Sequence, residues 1–208
     1  MSFYMVIEGT DGCGKDTQAD LLISRMVESG LDPLRVAEPC EDLPHGRLLR
    51  ELLSSGEHPE SHAALFLSDR MALQAGTVRP ALEAERPVVS VRSFLSTLVY
   101  QQENWPLDWL IEIHKMMVAK PDVVVWLDVD PDIGLERVGK RAIAKEYYEK
   151  AEIQERNRGR YRTLVTDSPA FLGLIADDPL IIVVDASQTR DEIHAEIWQQ
   201  VAPRMEAG

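Results

Sequence analysis

The stretch Gly9-Thr10-Asp11-Gly12-Cys13-Gly14-Lys15-Asp16-Thr17 constrains this chain more than any other. It comes after a short apolar run, Phe3 to Ile7, and precedes Ala19, Leu22, Ile23, Met26 and Val27, whose spacing lines one face of a helix. A strand feeding a glycine loop that opens a helix lets the backbone wrap an anion closely. The N–H groups at the helix start point at that anion, and Lys15 adds a point charge. Gly9, Asp11, Gly12, Cys13, Gly14, Lys15, Asp16 and Thr17 are therefore candidate phosphate-binding residues. A plain glycine-rich turn is the other reading, and the strand and helix on either side argue against it.

One position departs from the pattern. Where a serine or threonine should succeed the lysine and place its hydroxyl on Mg²⁺, this chain has Asp16. Thr17 comes next, but one residue along a helix is about 100° of rotation, so it does not simply substitute.

Three further runs read as buried strands, Val88 to Val91, Val123 to Leu127 and Leu180 to Val184, with a weaker one at Leu34 to Ala37. Helical patterns alternate with them: Pro59 to Arg86 reads as long and helical, and Gly139 to Arg162 as a charged helical stretch. Continuous apolar strands alternating with helices predict an α/β domain. Its core would be a five-stranded, doubly wound parallel sheet with helices on both faces. Ligands of such sheets bind at the carboxyl ends of the strands. The absence of a repeat or linker places all of 1–208 in a single domain, and Trp105, Trp109 and Trp126 read as core.

Composition narrows the partners. Lys plus Arg number 22 against 35 Asp plus Glu, a formal charge of −13, opposite in sign to a nucleic-acid-binding surface. No run of roughly 18 apolar residues predicts a membrane span. Cys13 and Cys40 have no disulfide or zinc spacing, and the start lacks the basic region of a signal peptide, so a cytoplasmic protein is expected. The five histidines, His45, His58, His62, His114 and His194, have no metal-ligand spacing and receive no role.

From Val6 to about Ser187 the chain resembles the thymidylate kinases, which are P-loop nucleoside monophosphate kinases. Besides the glycine loop, the resemblance rests on Glu38-Pro39, Phe66-Leu-Ser-Asp-Arg70, Arg92 through Gln101, Lys120-Pro-Asp through Asp128 to Arg137, and Tyr148 through Tyr161, in that order. It implies the P-loop NTPase fold with a short lid at about 139–150, ATP and Mg²⁺ as donor and cofactor, and dTMP as acceptor.

The resemblance also implies roles. Phe66 would stack on the pyrimidine, Arg70 would donate to a base carbonyl, and Ser96, Thr97 and Gln101 would lie along the base. Tyr100 would crowd the sugar's 2′ position and favour deoxynucleotides. Arg92, helped by Arg50, would hold the acceptor phosphate, with a planar guanidinium suited to that task, while Arg47 reads equally as a solvated charge. Asp11 and Glu38 would sit near the acceptor sugar, and Arg137 against the adenine. Lys140, Arg141 and Lys145 would supply lid cations, Arg141 joining Lys15 and Arg92 as the catalytic set.

The family's aspartate at the end of the third strand is replaced by Val91, so two metal-side positions change together. The expectation is compensation, with Asp16 as metal ligand. Two alternatives stay open: a non-catalytic nucleotide-binding module of this fold, and a kinase for another deoxynucleoside monophosphate. A homodimer is expected from the resemblance, with no nucleic acid or membrane partner.

Overall fold

The computed structural model describes residues 3–117, 119–139, 148, 150–167 and 169–206. The lid cations Lys140, Arg141 and Lys145 lie outside the described residues, as does most of the 139–150 segment.

Five strands, β1 (Tyr4–Glu8), β2 (Leu34–Ala37), β3 (Val88–Val91), β4 (Val123–Asp128) and β5 (Leu180–Asp185), form one sheet in the order β2-β3-β1-β4-β5. Every pairing is parallel, with Tyr4 opposite Val88 and Met5 opposite both Val89 and Val123. All five carboxyl ends therefore lie along one edge. The order reverses on either side of β1, so the loop leaving β1 occupies the switch point of the sheet, where ligands bind in such folds. The helices before β3 are α1 (Lys15–Glu28), α2 (Pro44–Ser55), α3 (His62–Leu73) and α4 (Arg79–Glu83). Those between β3 and β5 are α5 (Phe94–Tyr100), α6 (Leu107–Lys115), α7 (Pro131–Gly139), α8 (Ala151–Asp167) and α9 (Pro169–Leu172), and α10 (Arg190–Glu206) comes after β5.

Strand residues alternate between two cores, because successive side chains point to opposite faces. Met5, Ile7, Val89, Val123 and Val125 pack with Ala19, Leu22 and Met26 of α1 and Ile193 and Ile197 of α10. Tyr4, Val6, Val88, Val124 and Trp126 pack with residues of α2, α3, α5, α6 and α8 on the other face. Both faces are covered, which is why the strands read as unbroken apolar runs.

Three expectations are corrected. The first strand runs Tyr4–Glu8 rather than starting at Phe3, so the acidic Glu8 ends it, fully buried. The Pro59 to Arg86 helix is divided into a 3₁₀ turn at Pro59–Ser61, α3, a π-helical turn at Gln74–Val78, and α4. The Gln74 side chain ties that π turn to Tyr4, donating to its hydroxyl at 3.4 Å, and accepts the Ala119 N–H at 3.1 Å. Trp126 is core, but Trp109 is 39% exposed and stacks on Trp105 with ring centroids 4.7 Å apart.

Candidate active site

The loop between β1 and α1 is held open by close backbone approach. A Cβ on Gly12 would lie 2.0 Å from the carbonyl oxygen of Gly134, and Gly12 has φ +76°, so only glycine fits. Gly14 caps α1 in the left-handed region at φ 96°. Lys15 folds back into the loop, its Nζ 2.9 Å from Gly9 O and 2.7 Å from Thr10 O, and is 7% exposed. The ammonium thus sits inside the ring of loop backbone. Gly12, Cys13, Gly14 and Thr17 line one cleft together with Arg137. Arg137 is oriented by donating Nη1–H to Ala186 O at 2.8 Å, after β5.

A second cleft opens on the other side of Asp11. Glu38, Arg50, Phe66, Arg70, Arg92, Ser96 and Tyr100 line it together with Asp11. Arg92 links it to the loop. Its Nη2 donates to Asp11 Oδ1, and its Nη1 to Gly9 O at 3.2 Å and Ser96 Oγ at 3.1 Å. Its guanidinium lies 5.4 Å from the centroid of the Tyr100 ring. Burial alone would lower the Arg92 pKa, but the facing Tyr100, Asp11, Tyr161 and Glu8 hold it well above its ordinary value. Arg92 also adopts φ +66°, a left-handed backbone that a non-glycine residue enters at a cost, and such strain concentrates at functional sites.

Asp11 is gripped from two sides. Gln154 of α8 accepts the Asp11 N–H at 3.0 Å and donates to its Oδ2 at 2.8 Å. Burial works against the ionised carboxylate, yet Arg92 and Lys15 outweigh it and lower its pKa. Arg70 is buried and directs Nε and Nη2 to Glu38 Oε2 and Nη1 to Thr97 Oγ1 and His114 Nε2. Burial pushes the Glu38 carboxyl up to about 7 against the pull of Arg70.

Thr97 and Gln101 do not face the cleft as the resemblance implied. Thr97 lies behind Arg70, and the fully buried Gln101 donates to the Tyr148 hydroxyl at 3.1 Å. Arg50 reaches the cleft wall while pairing with Glu41 at 3.2 Å, whereas Arg47 donates to the Glu41 and Asp42 carbonyls.

Asp16 does not join the loop cleft either. Its carboxylate is paired with Arg35 Nη2 at 2.7 Å, is 61% exposed, and lines a separate cleft beside β2 and Pro39–Leu43. Arg35 also reaches Asp20 one helical turn on, which explains the orientation: two acidic residues of α1 share one arginine of β2. Val91 is buried and apolar at its strand end. Among the described residues no group of three or more histidine, cysteine or carboxylate side chains is placed to hold a metal. Neither half of the expected exchange between Asp16 and Val91 is thus arranged as a preformed ligand set.

The sequence model of the thymidylate kinase family matches residues 7–197. The chain belongs to that family. It is 34% identical over 208 residues to a probable thymidylate kinase of Thermococcus gammatolerans, covering 95% of this chain and 94% of the relative. It is 32% identical over 216 residues to the thymidylate kinase of Thermomicrobium roseum, covering 100% and 98%. A thymidylate kinase of Shewanella amazonensis is 32% identical over 204 residues, with 93% of each chain covered. The five-stranded parallel sheet agrees with the P-loop fold of this family.

Several residues that sequence reasoning passed over stand around the family's two clefts. Glu8 caps the start of α5, accepting Ser93 N–H at 2.7 Å and the Ser96 hydroxyl at 2.6 Å, and burial raises its pKa. Tyr148 lines the Arg92 cleft and bonds His62 Nδ1 at 3.1 Å, while Gln188, Thr189 and Arg190 line the loop cleft. Gln154 and His114 complete the set. The pairing of Asp11 with Gln154 spans 143 positions and that of Arg70 with His114 spans 44, separations to which local pattern is blind.

Proposed function

We propose that this chain transfers the γ-phosphoryl group of ATP to the 5′-phosphate of dTMP, giving dTDP and ADP. The observation that carries the reading is Arg92, which bonds the phosphate loop at Gly9 and Asp11 while lining the acceptor cleft. One guanidinium thus stands at the junction of the two clefts, where a transferred phosphoryl group must pass.

The loop N–H groups and Lys15 hold the donor phosphates, Lys15 exchanging the Gly9 and Thr10 carbonyls for phosphate oxygens. Arg92 orients the acceptor phosphate, and Arg141, a catalytic cation by the resemblance, would neutralise charge on the moving group. A phosphate monoester is already nucleophilic at neutral pH, so positioning and charge stabilisation supply the catalysis. Phe66 offers its ring, and Arg70 its remaining N–H, to a pyrimidine in the acceptor cleft. A fold kept only for binding would have no physical need of Lys15, Arg70 and Arg92 around one junction, which favours the kinase over the non-catalytic module.

Three further elements belong to the proposal. Mg²⁺ would accompany ATP and neutralise charge on its phosphates, and Asp16, which is engaged with Arg35, is not placed as its ligand. A homodimer is supported by Leu48 on α2 and Met71 on α3, exposed at 47% and 49% on helices that pack together. A cytoplasmic setting is supported by the free thiols of Cys13 and Cys40. No helix among the described residues is long and apolar enough to cross a membrane. The test is ADP formation from ATP across a panel of nucleoside monophosphates. Turnover highest with dTMP is expected, and turnover highest with a purine acceptor contradicts the reading.

A further inference from the structure

His114 lies on α6, fully buried, at 6.2 Å from the Phe94 ring and outside every contact assigned above to nucleotide. Its two ring nitrogens face partners of opposite character. The Leu110 carbonyl oxygen is an acceptor only, so Nδ1 carries the proton and donates to it. Nε2 then has a lone pair, and Arg70 Nη1 donates into it at 2.6 Å. Protonation of Nε2 would set two donors against each other. Burial and the neighbouring Arg70 depress the His114 pKa to about 3, so the ring stays neutral.

Four of the five N–H groups of Arg70 have acceptors. Nε and Nη2 meet Glu38 Oε2, Nη1 meets Thr97 Oγ1 and His114 Nε2, and the guanidinium borders the acceptor cleft. A guanidinium has donors only, in a rigid planar fork. Fixing three of its corners leaves Nη2 with a hydrogen to spare. We propose that His114 is a positioning residue for acceptor recognition: by accepting from Arg70 Nη1 it locks the guanidinium so that its free N–H meets a ring carbonyl of the acceptor base. The class selected is a pyrimidine nucleotide with an oxo group where cytosine carries an amino group. An amino group would bring donor against donor, and sites built around a buried donor reject such analogues strongly. This inference rests on the proposed kinase reading and adds what sets its base preference.

The test compares kcat/KM for dUMP and dCMP, which differ only in the oxo or amino group and the ring proton beside it. His114→Leu removes the acceptor, and His114→Gln restores an amide oxygen near the position of Nε2. The expected result is that the dUMP to dCMP ratio falls roughly tenfold to a hundredfold in His114→Leu, the range for one charge-assisted hydrogen bond. The loss should appear in KM for dUMP more than in kcat, and His114→Gln should recover most of the ratio. An unchanged ratio in a folded His114→Leu protein overturns the proposal. So does failure of a folded His114→Gln to recover it, because packing alone then accounts for the residue.

If His114→Leu does not fold, nitrogen NMR of the wild-type chain labelled at histidine decides. A neutral ring protonated at Nδ1, with an Nε2 signal that moves when dTMP binds, supports the lock, and an Nε2-protonated ring overturns it. The tautomer is readable whether or not dTMP is phosphorylated. A wild-type chain inactive on both dTMP and dUMP, but with the Nδ1 tautomer, contradicts the kinase reading and leaves the lock standing.

Discussion

The ammonium of Lys15 lies 2.7 Å from the carbonyl oxygen of Thr10 and 2.9 Å from that of Gly9, inside the loop that is to receive the donor phosphates. The lysine holds the loop in shape with the same charge that the proposed function assigns to the donor phosphates. Lys15→Met removes that charge at a largely buried position. We expect kcat to fall roughly 10²- to 10³-fold, the scale for losing one preorganised stabilising donor, with the far-ultraviolet circular dichroism preserved. Steady-state ADP formation checks this, and a loss below tenfold contradicts the role.

Arg92 makes three separate hydrogen bonds that depend on a planar fork. Arg92→Lys keeps the charge and loses the geometry, so it is not a conservative change. The expected outcome is a fall of roughly a hundredfold in kcat/KM for dTMP, with the KM for ATP changed far less. Measuring both KM values on the same preparation separates this from general damage to the loop.

Tyr100 borders the acceptor cleft, its ring centroid 5.4 Å from the Arg92 guanidinium. Burial raises its pKa, so the ring stays neutral at any working pH. If the ring crowds the 2′ position, Tyr100→Ala should narrow the preference for dUMP over UMP by roughly tenfold, the scale of steric selection in such pockets. An unchanged ratio assigns the residue to packing against Arg92 alone.

His114 also predicts a pH dependence. Its pKa is 6.5 in the unfolded chain and about 3 in the fold. Between these values the unfolded chain binds a proton that the fold refuses, so stability is lost as pH falls from 6.5 toward 3. The loss is about 1.4 kcal/mol for each unit in that window. Glu38 acts oppositely: its raised pKa of about 7 means stability falls as pH rises from 4.5 to 7. The comparison of wild type with His114→Gln isolates the histidine. The variant should lose less stability on acidification, and parallel melting curves from pH 7 to 4 contradict this.

Asp16, paired with Arg35 at an exposed position, behaves in this structure as a surface ion pair. Asp16→Asn should cost no more than about 1 kcal/mol of stability, and the Mg²⁺ concentration for half-maximal activity should not move. A several-fold rise in that concentration would return Asp16 to the metal.

Much of this fold was legible in the sequence because local physics decides it. The β-branched runs mark four of the five strands, Gly12 and Gly14 mark the loop, and the period of Ala19, Leu22 and Met26 marks the helix behind it. What was not legible depends on contacts between distant segments. Nothing near Asp16 in sequence says that Arg35 will hold it, and nothing near Thr97 says that it stands behind Arg70. Trp109 reads as core because tryptophans usually are, yet it stacks on Trp105 at the surface. The buried histidines were passed over because a lone histidine has no pattern to read. Their roles appear only when Arg70 and Tyr148 are placed beside them.

Transfer from ATP to dTMP at the Arg92 junction is tested most directly by a single-turnover experiment in which enzyme in excess receives ATP labelled on the γ-phosphorus, with dTMP and Mg²⁺ present. The label is expected to appear in dTDP as fast as it leaves ATP, and Arg92→Lys should slow both together. Label found only in inorganic phosphate, or retained in ATP while both nucleotides are bound, would contradict direct transfer.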